Sequence, residues 1–155
     1  MNKFLLSVHV LAAIIFIGPV TVAASMFPPI ARRALTAEIP ETAVLKVLHR
    51  ISRGYAIGGL IVPVFGIAVG AGLGVLGDYW LIISMILTAL AAGVLAFAVL
   101  PAQSRVLAAV DAAPDVRTGL LPQAKALSMT TGIFALLWAV VVVLMIVRPG
   151  STTGV

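Results

Sequence analysis

Cysteine is absent from this 155-residue chain. That excludes disulfides, thiolate metal sites and a Cys nucleophile. Charge is scarce: Asp, Glu, Lys and Arg make up 10% of the residues, against roughly 25% in a soluble domain. The familiar catalytic templates are missing as well. There is no glycine loop followed by Lys and Ser or Thr, no GxSxG and no HExxH. The long apolar runs contain no Asp, Glu or Lys, which argues against a carboxylate proton relay at membrane depth.

What the chain has instead is apolar length. Hydrophobic residues are 62% of the sequence and the mean hydropathy is +1.22. The runs at 4–26, 54–76, 80–100 and 127–147 are each long enough to cross a hydrocarbon core of about 30 Å at about 1.5 Å per residue. The expected fold is all-α, a single integral membrane domain built as a bundle of four transmembrane helices. The first run follows Lys3 and carries Ala-Ala-Ser at 23–25, which mimics a signal peptide and its cleavage site. The run exceeds an h-region of about 7–15 residues, so it reads as a span. Gly18-Pro19 lies inside it and predicts a kink, and Pro28-Pro29 predicts its end.

The net charge of +5 points to the membrane rather than to nucleic acid, because the basic residues sit in short connections between apolar runs. The first connection, 30–53, carries Arg32, Arg33, Lys46, Arg50 and Arg53. The third carries Arg105, Arg117 and Lys125, whereas Lys3 and Arg148 are alone on the opposite side. The positive-inside rule places both of those connections in the cytoplasm, and both termini outside. Within the first connection, Val44, Leu45, Leu48 and Ile51 recur at helical spacing with Lys46, Arg50 and Arg53 on other faces. This predicts an amphipathic helical extension before the second span. Tyr79 and Trp80 fit an interfacial aromatic belt. Asp111 and Asp115 read as a solvated loop rather than a metal site.

Only a few polar side chains enter the spans. The hydroxyls of Ser7, Thr21, Ser25, Ser84, Thr88, Ser128, Thr130 and Thr131 suit helix–helix hydrogen bonds or back-bonds within a turn. His9 is the one ionisable group, about 9 Å below the outer interface. A neutral imidazole there either bonds a neighbouring helix or ligates a haem iron, for which a bundle interior offers an apolar slot. Ala12 and Ala13, one turn on, leave room for a planar ring, and Phe16 is placed to stack beside it. His49, the other histidine, lies on the order of 20 Å away across the bilayer. The two cannot share one iron within a protomer. Met85 and Met145, both in the outer leaflet, are candidate second ligands, as is His9 of a second copy. His49, beside Arg50 and Arg53, is expected to meet headgroups or an acidic partner. Gly66, Gly70 and Gly74 share a helix face at four-residue spacing. That pattern serves ordinary packing within the chain or a seam with another helix, in a homo-oligomer or with other membrane subunits.

The stretch LLSVHVLAAIIFIGPV, with His9, Phe16 and Gly18, resembles the first helix of a family of four-span membrane proteins, domain of unknown function 2269. That family is similar in turn to the copper-resistance CopD and HemJ groups. LHRISRGYAIGG and the glycine-rich helix after it also look similar. The resemblance implies four membrane helices and, from the HemJ side, haem b on His9. The aromatic, often Trp in the family, is Phe16 here, and the third span has no lysine, which counts against protoporphyrinogen oxidation. Three functions follow as expectations: a small haem b protein for electron transfer in the cell membrane, a non-enzymatic accessory subunit, or a permease for a small molecule or metal.

Overall fold

The structure, a computed structural model, describes residues 2–150. Among them every regular element is helical. Four helices are long and apolar enough to cross a membrane: Lys3–Thr36, Ala43–Leu73, Tyr79–Ala109 and Pro114–Val147. By length and composition this is a multi-pass membrane protein.

Consecutive helices run antiparallel. Asn2–Ala12 packs on Ile61–Leu73 while Gly18–Thr36 packs on Ala43–Gly59, and the fourth helix lies against the first and third. The first and fourth helices have 34 residues each, about 51 Å if straight, so they outrun a hydrocarbon core of about 30 Å. The surplus lies at the end that carries the basic residues.

Pro28 and Pro29 do not end the first helix. It continues through both to Thr36, with Ala31, Ala34 and Leu35 buried beyond them. A proline in a helix interior costs about 3 kcal/mol. Here that cost is offset by a further apolar face packed on the second and fourth helices. The connection expected over 30–53 therefore shrinks to 37–42. The segment carrying Lys46, Arg50 and Arg53 is the exposed flank of a helix that buries Leu45, Leu48 and Ser52.

Other prolines shape the backbone. Ala13–Ile17 and Val94–Val99 are π-helical. They lie just before Pro19 and Pro101, and each contains the residue four positions before its proline. A proline ring collides with that carbonyl in an α-helix. Widening the turn by one residue moves the carbonyl aside. In the second helix the break falls at Leu60, three residues before Pro63.

Packing is uneven along the bundle. Val20, Phe27, Leu35, Leu45, Val99, Val106, Leu127 and Phe134 are all fully buried in one cluster, in the half of the bundle nearest the basic connections. The half nearest the termini is hollow.

Candidate functional site

The hollow is a cavity of about 800 Å³ between all four helices, within the range of ligand and cofactor sites. The first helix contributes His9, Ala13 and Thr21, and the second Val62, Pro63 and Gly66. Met85, Thr88 and Ala92 come from the third helix, and Ala135, Trp138 and Met145 from the fourth. The wall is almost wholly apolar, and no charged residue lines it.

His9 is buried, with its Nδ1 2.9 Å from the carbonyl oxygen of Val62. A carbonyl accepts only, so Nδ1 carries the proton and donates. In the neutral form of the ring, this leaves Nε2 as a lone pair. No protein donor among the described residues occupies it. A second-helix glycine makes this possible. A Cβ built on Gly66 would lie 3.0 Å from His9 Cε1 and 3.4 Å from Nδ1. Glycine lets the imidazole lie this close to the helix backbone and reach a carbonyl four residues earlier without shifting. This arrangement, with one ring nitrogen fixed by a backbone acceptor and the other free, is the one that orients metal-ligating histidines.

Met85 and Met145 share the cavity with His9, on two different helices. Phe16 does not. Its ring packs on Gly58 and sits 6.2 Å from the Tyr55 ring, away from the cavity wall. On an unbroken α-helix Phe16 would share the face of His9, seven residues back. The π turn at Ala13–Ile17 winds less per residue and turns Phe16 toward the second helix.

The glycine face divides three ways. Gly66 accommodates His9. A Cβ on Gly70 would meet Leu81 at 2.8 Å and Leu76 at 3.1 Å. Gly74 sits at φ +72 and closes the second helix in the left-handed conformation that glycine tolerates. Gly66 and Gly70 are thus taken up within the chain.

Two polar features of the cavity stand out. Thr88, expected to bond another helix or its own turn, does neither among the described residues, unlike Thr21, Ser84, Thr130 and Thr131, whose hydroxyls each donate to a carbonyl one turn earlier. The indole N–H of Trp138 is buried without an acceptor. No periodicity marks either residue, because each lies on a face set by tertiary packing.

His49 belongs to a separate network at the basic end. Its Nδ1 donates to Gln103 Oε1 at 3.0 Å, Ser104 Oγ donates to its Nε2 at 3.3 Å, and Gln103 Nε2 donates to Ser52 Oγ at 3.4 Å. Within the chain, the partners of this half-buried ring are thus on the third helix. At the other end Trp80 is buried, donates to Asp78 at 2.9 Å and lies under the Arg148 guanidinium at 5.5 Å, whereas Tyr79 is exposed. Asp111 and Asp115 are both exposed, and no group of three or more His, Asp or Glu side chains that could hold a metal ion occurs among the described residues.

Searches against protein-family models, curated proteins and solved structures find no match to this chain.

Proposed function

We propose that this chain is a four-span membrane protein, with its termini outside and its basic connections inside, that binds haem b through His9 Nε2. The observation that carries the reading is His9 itself: Nδ1–H fixed on Val62, Nε2 free, on the wall of a cofactor-sized apolar cavity. Met85 and Met145 line the same cavity, and either thioether would be the candidate second ligand were the haem bound. Small residues on the wall, such as Ala13, Gly66, Ala92 and Ala135, suit a flat ring. No Lys or Arg lines the cavity, so the carboxylate edge of a haem has to face out of it. When bound, the haem supplies a one-electron couple. The protein orients the iron and excludes water around it.

The packing supports a site rather than a path. Phe27, Leu127 and Phe134 are fully buried in the other half of the bundle, which favours a pocket that ends within the bundle over a through-path. Gly66 and Gly70 lie against this chain's own side chains, which supports packing within the chain over a seam with a partner helix at those two positions.

The test is an absorption spectrum of detergent-purified protein titrated with haem b. The wild type is expected to develop a sharp Soret band. His9→Ala should abolish it, and one of Met85→Leu or Met145→Leu should shift it without abolishing it. An unchanged band in His9→Ala would refute the assignment.

A further inference from the structure

At the basic end, Arg117 stands apart from every other cation. It lies on the short helical turn Pro114–Thr118 that precedes the long part of the fourth helix, and it is 6% exposed. Its Nε is buried with no acceptor among the described residues. By contrast, Arg32, Arg33, Lys46, Arg50, Arg53, Arg105 and Lys125 are all exposed.

A buried guanidinium cannot escape its charge by deprotonating. Without an acceptor, its Nε–H loses hydration that nothing in the chain replaces. The acidic residues near this end do not compensate it. Glu38, Glu41, Asp111 and Asp115 are exposed, and Asp115, two residues away, uses its backbone carbonyl on Thr118 and Gly119 rather than its carboxylate on Arg117. The turn packs on the Gly18–Thr36 part of the first helix, which carries Arg32 and Arg33 and so adds positive potential rather than a counter-charge. An anion from outside the chain is what this arrangement lacks.

We propose that Arg117 is the anchor of a phosphate-binding site. The guanidinium fork matches two phosphate oxygens, and eight of the ten Lys and Arg residues lie at this end to draw an anion in. The site lies where a long helix emerges from the apolar zone, the level of a headgroup phosphodiester. The same chemistry would accept free phosphate, and the experiment separates the two. The proposal is independent of the haem site, which occupies the other half of the bundle.

The full-length protein in neutral detergent is melted with added phosphatidylglycerol, phosphatidylcholine or inorganic phosphate. Phosphatidylglycerol is expected to raise the melting temperature of the wild type, and phosphatidylcholine much less. Arg117→Met removes the charge and keeps the bulk. It is expected to melt no lower than the wild type without added anion, and to lose the response, with at least a tenfold weaker apparent affinity. Arg117→Lys keeps a point charge and should retain part of the response. Arg53→Gln removes an exposed cation from the same end and should respond as the wild type does. A response to inorganic phosphate that equals the response to phosphatidylglycerol supports the site and assigns it to the free anion. Three results would overturn the proposal: a wild type indifferent to both, an Arg117→Met variant that still responds fully, or co-purification with a protein partner whose removal alone destabilises the chain.

Discussion

Gly66→Val tests how the imidazole is held. A Cβ alone would sit 3.0 Å from His9 Cε1, and a branched side chain forces the ring off the second helix. The bond from Nδ1 to the Val62 carbonyl, 2.9 Å long, is then lost and a buried N–H is left without an acceptor. Leaving such a donor unmet costs about 1–3 kcal/mol. Valine also changes intrinsic helix preference, so the comparison needs a matched reference. Gly132 provides it: it lies within the fourth helix, and a Cβ there meets nothing within 4 Å. Gly132→Val carries the same propensity change without the clash. The account expects Gly66→Val to be less stable than Gly132→Val by about 1–3 kcal/mol, read from equilibrium unfolding in detergent. His9→Ala should erase most of that gap, since the obstacle is then gone. If the two valine variants unfold alike in the presence of His9, the contact that positions the ring does not exist as described.

Other variants probe the neighbouring contacts. Gly58→Leu pushes into the Phe16 ring and should destabilise the bundle by about 1–3 kcal/mol, with Phe16→Ala restoring part of the loss in the double mutant. Gln103→Leu leaves His49 Nδ1 and Ser52 without their partner and should cost about 1–3 kcal/mol in the same unfolding assay. Arg148→Ala removes the cation from the Trp80 face. It should cost no more than about 1 kcal/mol and alter the emission of Trp80, which Trp138→Phe isolates.

The long apolar helices were legible because a bilayer imposes a length, and uninterrupted runs of that length are rare in soluble chains. Their ends were not. Pro28-Pro29 marks a stop by local rules, yet the burial of Ala31, Ala34 and Leu35 beyond it is a tertiary fact that no window of sequence contains. His9 was visible as a lone ionisable residue in an apolar run. Its depth also singled out Met85 and Met145, which line the same cavity. The role of Gly66 was hidden. Four-residue glycine spacing says that something approaches closely, but not whether it is a second helix or an imidazole. Phe16 was placed on the His9 face by ideal helical geometry, and the π turn before Pro19 moved it. A proline's effect on register four residues upstream depends on how the helix absorbs it, by kink or by widening. Arg117 looked like one more topology charge, because burial and an Nε–H without an acceptor cannot be read from composition.

The central claim is that His9 presents an unprotonated Nε2 to the cavity while Nδ1 is tied to the backbone. Nitrogen-15 NMR of histidine-labelled protein in detergent micelles, without added haem, measures this directly, with His49→Gln used to assign the two rings. The account predicts a pyrrole-like Nδ1 and a pyridine-like Nε2 for His9, the latter shifting when haem is added. A His9 ring protonated on Nε2 instead would contradict it.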